Sequence, residues 1–291
     1  MYPSRFRYAA PRTLDEAIAL LVEHGDDAKV LAGGQSLVPL LKLRFASPDL
    51  LVDINNLSDL SYHRVDDAGA LHVGALCRHA DLEHSTLLAE RQPTMIAAAP
   101  LIADPIVRTR GTLVGSLCHA DPQGDWAAVI TALGGQVVAE GPSGRRTIAI
   151  GDFVTGPFQN TLAYDEVAVE AIVPATKGRL EGGFLKLERR VGDFATAGTA
   201  VAVELDGDRV VRAGIALSGV GGRTIDAREA GESLAGQVLD GAAITRAADL
   251  AASVAEPRSD HRGSADYKRH VIHTFVTRIL TRVSPARTEA A

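Results

Sequence analysis

Cysteine is scarce, with Cys77 and Cys118 the only two among 291 residues. Two thiols cannot supply the four ligands of an iron–sulfur cluster or of a usual structural zinc site, and these two are not a Cys-x-x-Cys pair. They read as buried or partly buried free thiols in a reducing compartment. An excess of basic charge is also missing. At a net charge of −6 and a pI near 5.8, the chain lacks the cationic surface that nucleic acid requires. No apolar run approaches the roughly 20 residues needed to span a membrane. The N-terminal Met1-Tyr2-Pro3-Ser4-Arg5-Phe6-Arg7 contains no apolar signal segment, so the cytoplasm is the expected location. Aromatic residues are only 4%, against 28 glycines, which points to many tight backbone turns.

What is present suits a folded chain of one large or two ordinary domains, since 46% of the residues are hydrophobic and can bury a sizeable core. Thr13-x-x-Glu16 is a capping-box pattern. Leu14, Ala17, Ile18, Leu21 and Val22 follow with helical spacing, and Gly25 is placed to stop the helix. Residues 29–32 and 50–54 read as strands. Ser36 to Arg44 reads as a short helix with Pro39 in its first turn, so the first 55 residues form a small β-α-β-α-β unit.

From 60 to 175 the pattern is mixed. Strands are expected at 71–74 and 167–173, helices at Pro93–Ile102 and Trp126–Leu133, and a strand and turn at Thr109–Leu117. A hairpin is expected around Gly141-Pro142-Ser143-Gly144. Residues 175–182 look like a linker. Strands follow at 184–187, 199–205 and 210–217, with Asp206-Gly207 a hairpin signal between the last two. Tyr267, Val271, Phe275 and Ile279, joined by Ile272, Val276 and Leu280, give a C-terminal helix one apolar, core-packing face. Residues 284–291 are expected to fray.

Two glycine-bearing segments carry the chemistry. Ala32-Gly33-Gly34-Gln35-Ser36 lies between an expected strand and an expected helix. Glycines there let the backbone turn sharply and present successive N–H groups to an anion beside a helix N-terminus. Gly111-Thr112-Leu113-Val114-Gly115-Ser116 has the same character, and Asp121 and Asp125 follow it. Either alone also reads as a plain strand-to-helix turn, and neither is a Gly-x-Gly-x-x-Gly or Gly-Lys-Ser/Thr phosphate loop. Together they can embrace both phosphates of one dinucleotide. A diphosphate held by main-chain amides needs few basic side chains, which agrees with the acidic pI.

Beyond these patterns, the stretches AGGQSLVPLLKLR (32–44), IADPIVR (102–108), GTLVGSL (111–117), FLKLERRVGDFATA (184–197) and the segment from Pro257 to Lys268 resemble the medium, FAD-binding subunit of the aerobic carbon-monoxide dehydrogenase family of molybdenum hydroxylases. The same domain occurs, fused, in xanthine dehydrogenases. The resemblance runs through nearly the whole chain in order. It implies an α+β protein: a two-lobed FAD-binding domain of the PCMH or vanillyl-alcohol-oxidase-like type, then a C-terminal antiparallel sheet with helices. The implied parts are a first FAD-binding lobe at 1–55, a second at 56–177 and a C-terminal α+β domain at 178–285. It implies, too, a flavoprotein oxidoreductase subunit acting in a heterotrimer, usually doubled. A small subunit carries two [2Fe–2S] clusters there, and a large one carries molybdopterin and sets the substrate.

By matching position, Ala32, Gly33, Gly34, Gln35 and Ser36 would hold the FAD diphosphate, as would Thr112, Leu113, Val114, Gly115 and Ser116. Asp125 matches an aspartate that contacts the cofactor, Ile102 an apolar neighbour of the ring, and Ala168 a backbone contact. Lys186 matches a lysine near the flavin, and Phe194 an aromatic close to the isoalloxazine. Lys186, Arg189 and Arg190 also read as a solvated or subunit-facing basic cluster. The first loop has no histidine to tether a flavin, so FAD would be non-covalent. No catalytic or metal-binding residue is expected; His119 beside Cys118 makes no metal site. Val114 departs from the family's Thr-x-Gly-Gly-Ser/Asn loop and would be strained if that position required positive φ.

Flavin exchanges electrons both singly and in pairs. The expected role is therefore to take electrons from [2Fe–2S] clusters of a partner and pass them to an external acceptor. Two alternatives stay open. A stand-alone flavin oxidoreductase would need a catalytic base beside the ring. A non-catalytic assembly subunit would have lost FAD, and Val114 is its only support.

Overall fold

A computed structural model describes residues 2–284. Thr13 caps the Leu14–His24 helix, its Oγ1 accepting from the Glu16 amide at 3.2 Å, while Glu16 Oε2 accepts from the Arg12 amide at 2.8 Å. The buried face of that helix, Ala17, Ile18 and Leu21, covers a parallel sheet ordered Arg7–Ala9, Leu50–Asp53, Ala28–Leu31. Two parallel neighbours need helical crossovers, and the Leu14–His24 and Leu37–Leu43 helices supply them.

A second, antiparallel sheet runs His63–Val65, Leu71–Gly74, Val167–Val173, Gln136–Gly141, Gly144–Ala149. Short helices between 79 and 132 pack beneath it, and the fully buried Trp126, Met95, Leu82 and Leu117 share their core. The third sheet, Arg179–Leu187, Ala197–Asp206, Arg209–Ser218 and Ile225–Asp226, is also antiparallel. The helices Gly241–Ser253 and Ala265–Val283 share a separate hydrophobic core with it. The architecture is thus α+β, with two lobes followed by an antiparallel sheet with helices. Among the described residues no helix is long and apolar enough to cross a membrane.

Several local expectations change. Residues 109–117 do not form a strand and turn. Thr112 caps a helix at Leu113–His119, accepting from the Gly115 amide, because Leu113, Val114 and Leu117 share one buried helical face. The 93–102 helix ends at Ala98 and tightens into a 3₁₀ turn at Ala99–Leu101, where Pro100 has no N–H for an α-helical bond. The expected linker is short: the strand starts at Arg179, and the Lys177 and Gly178 amides both donate to Glu204 Oε1. Ser284 is buried, its hydroxyl donating to the Leu239 carbonyl at 2.7 Å; the rest of the expected fraying tail lies outside the described residues.

Candidate functional site

The first glycine segment leaves the Ala28–Leu31 strand at Ala32 and enters the Leu37–Leu43 helix. Gly34 sits at φ +73, a conformation that favours glycine. Among the described residues the amides of Gly33, Gly34, Gln35 and Ser36 donate to no protein acceptor. Four adjacent unsatisfied donors form a concavity suited to an anion. The second segment meets the first at Gly33. A Cβ on Gly33 would stand 2.4 Å from the Arg110 carbonyl oxygen and 2.8 Å from Gly111 Cα. The two bends are therefore in van der Waals contact, and only a glycine permits it.

Both open into one cleft of about 840 Å³, within the size range of cofactor pockets. Its walls bring together Ala32, Gly33, Gly34, Gln35, Ser36, Ile102, Thr112, Val114, Gly115, Ser116, Asp125, Ala168, Lys186 and Phe194. Leu113 stands apart: its side chain is fully buried in the core and does not reach the cleft. Val114 lies in the first turn of the Leu113–His119 helix and has no positive φ, so the missing glycine costs no backbone strain. Ile102 and Ala168 are buried apolar wall, whereas Phe194 is 52% exposed at the rim.

A buried cation organises the opposite wall. Lys186 Nζ donates to the Leu101 carbonyl at 2.5 Å, to Asp125 Oδ2 at 2.9 Å and to the Asp193 carbonyl at 3.1 Å, and lies 3.3 Å from Glu188 Oε2. It thus ties three segments of the cleft wall together. Burial pushes the Asp125 carboxyl up to about 6 against the pull of Lys186. Asp125 Oδ1 is buried and has no hydrogen-bond partner among the described residues. Gly192, at φ +83, brings the 188–194 loop onto Ala103, where a Cβ would meet the Ala103 oxygen at 2.6 Å.

Sequence reasoning missed His79. Its ring lies on Gly111, where a Cβ would be 2.7 Å from Nε2, and Trp126 Nε1 donates to His79 Nδ1 at 3.0 Å. Burial, reinforced by Arg108 and Arg78, lowers its pKa to about 4. His79 is thus neutral with its proton on Nε2, and it lines the cleft. No spacing rule marks it; the lone tryptophan was the available signal. His119 packs on Phe158 with ring centroids 5.1 Å apart. Among the described residues no group of three or more His, Cys, Asp or Glu is placed to hold a metal. Burial pushes both thiols up to about 12, so neither is a ready nucleophile.

The residues present fit a flavin dinucleotide. A bent diphosphate matches the free amides at Gly33–Ser36 and the facing Thr112–Ser116 segment. The unpartnered Asp125 oxygen awaits a polar N–H or O–H, and Ile102 and Ala168 offer an apolar surface to a ring.

Comparison with known proteins agrees. Residues 4–176 match the FAD binding domain in molybdopterin dehydrogenase, and residues 183–283 match the CO dehydrogenase flavoprotein C-terminal domain. The chain is 42% identical to the carbon monoxide dehydrogenase medium chain of Hydrogenophaga pseudoflava, over 96% of this chain and 97% of that one. It is 35% identical to the glyceraldehyde dehydrogenase medium chain of Sulfolobus acidocaldarius, over 98% and 100%. The solved carbon monoxide dehydrogenase from Hydrogenophaga pseudoflava that lacks the Mo-pyranopterin moiety of its cofactor superposes with a TM-score of 0.92, at 42% identity, covering 97% of this chain and 98% of that one.

Proposed function

The chain belongs to the FAD-binding medium subunits of molybdenum hydroxylases such as carbon monoxide dehydrogenase, and from that premise we propose that it relays electrons from the [2Fe–2S] clusters of a small partner subunit to an external acceptor. In this reading a large partner holds molybdopterin and performs substrate oxidation, the assembly is a dimer of heterotrimers, and it works in the cytoplasm without nucleic acid. The proposed parts are a first FAD-binding lobe at 1–55, a second at 56–177 and the C-terminal domain at 178–285.

One observation carries the reading: two glycine bends touch each other and open into one cleft. FAD bound there non-covalently would supply exchange between one-electron and two-electron chemistry. The chain's own residues bind and orient it. The free amides of Gly33–Ser36 hold the diphosphate together with the Thr112–Ser116 segment, where the Gly115 and Ser116 amides already donate to Thr112 and the first-turn amides of Leu113, through its backbone alone, and Val114 remain. Ile102 and Ala168 provide the apolar wall, and Phe194 shields the rim. Asp125 accepts a hydrogen bond, and Lys186 keeps that carboxylate in place. Val114 in a regular helix removes the sequence argument for a subunit that has lost FAD.

Two preparations test the proposal. The purified full chain should take up one FAD, seen as bound flavin absorbance. Co-expressed with its iron–sulfur and molybdenum partners, it should pass substrate electrons to an acceptor; alone, it should oxidise no substrate. Substrate oxidation by the isolated chain would establish the stand-alone oxidoreductase instead.

A further inference from the structure

Beside the two glycine bends lies a short polar strut of two side chains, Asn55 and Arg78, that do not line the cleft. Asn55 follows the Leu50–Asp53 strand of the first lobe, and its Nδ2 donates to the Ala32 carbonyl at 2.9 Å. Arg78 follows the Leu71–Gly74 strand of the second lobe, and its Nη1 donates to the Arg110 carbonyl at 2.7 Å. The two side chains then join each other, Arg78 Nη2 donating to Asn55 Oδ1 at 2.6 Å. One continuous path of hydrogen bonds thus runs from the residue that opens the first bend to the residue that precedes the second. Asp53 orients the amide, accepting from the Asn55 side-chain Nδ2 and from its backbone N–H at 2.9 Å, and is itself held by Tyr8 Oη, which donates to it at 2.7 Å. Two segments of backbone in glycine–glycine contact have no side chains of their own to set their register. The strut supplies that register from outside.

We propose that Arg78 and Asn55 are positioning residues that lock the two glycine bends together and so pre-form the diphosphate grip, without touching the cofactor. The inference rests on the proposed placement of FAD in this cleft. A planar guanidinium is required, since it reaches two carbonyl oxygens at fixed angles, which an ammonium does not. Ordering the bends before binding lowers the entropic cost of capture.

The test uses the purified full chain, titrated with FAD, in wild type, Arg78→Met, Arg78→Lys, Asn55→Ala and the Arg78→Met/Asn55→Ala double variant. Thermal unfolding of the FAD-free protein is measured alongside. The expected result is FAD affinity lowered about tenfold or more by Arg78→Met, and nearly as much by Arg78→Lys, as for loss of a charged hydrogen bond. The double variant should be little worse than Arg78→Met alone. The visible absorbance and circular dichroism of the flavin at saturation should match wild type, because the ring's surroundings are untouched. Affinity within twofold of wild type, additive losses, or an altered flavin spectrum at saturation would overturn the strut. A wild-type chain that binds no FAD would instead overturn the placement on which it rests.

Discussion

Gly33 packs directly on the carbonyl of Arg110: a single methyl group added to Gly33 would lie 2.4 Å from that oxygen. The contact makes one binding surface out of two loops that are far apart in the sequence.

Gly33→Ala should therefore force the bends apart, since the colliding atom is backbone and cannot swing away. The expected cost is about 1–3 kcal/mol of stability, as for overpacking elsewhere, with at least about tenfold weaker FAD binding. Thermal unfolding and flavin fluorescence titration read the two effects. Unchanged affinity would show that the bends act separately.

Lys186→Met should destabilise the protein in a pH-dependent way. Burial raises the Asp125 pKa from 3.8 to about 6, so keeping Asp125 ionised costs stability. Its contribution is fully present below about pH 4 and is lost as pH rises through about 6. Without Lys186 the ionised form loses its counter-charge as well. The variant should be less stable by about 3–5 kcal/mol at pH 8, as when a buried ion pair loses one partner, and much less affected at pH 5. Equal losses at both pH values would contradict the pairing.

His79 works in the opposite direction. Its pKa is depressed to about 4 by burial and by Arg108 and Arg78. The stability it contributes is present above its ordinary value of 6.5 and is lost as pH falls through about 4. Protonating Nδ1 breaks the bond from Trp126, the only tryptophan, so intrinsic fluorescence should titrate near pH 4. In His79→Gln that step should disappear.

His72 lies 3.0 Å from Asp66 and 3.0 Å from Glu170. Desolvation lowers its pKa, but the neighbouring Glu170 and Asp66 carboxylates outweigh it and the net shift is upward. This contribution is complete below pH 6.5 and is lost as pH rises through the higher folded value. In His72→Gln, unfolding midpoints should depend less on pH above 6.5 than in wild type.

How much of this was legible depended on whether the signal was local. Thr13 and Glu16 wrote the first helix start into four residues, and Asp206-Gly207 wrote a hairpin, with Gly207 at φ +60. The Ala32–Ser36 bend was equally plain, because strand, glycines and helix follow one another along the chain. At 109–117 the glycines suggested a strand and turn, yet Thr112 capping and the buried face of Leu113, Val114 and Leu117 prevailed. The Gly241–Ser253 helix escaped notice although Asp240 caps it, since its small alanines give a faint apolar stripe. His79, Arg78 and Asn55 were invisible for another reason: their partners, Trp126, Arg110 and Ala32, are brought to them only by tertiary folding.

The most direct measurement compares FAD with riboflavin, which lacks the diphosphate and the adenosine beyond it, by equilibrium dialysis against the purified chain. If main-chain amides of the paired bends provide the grip, FAD should bind at least about a hundredfold more tightly, the worth of two or more charge-assisted hydrogen bonds. Equal affinities for the two flavins would contradict the account.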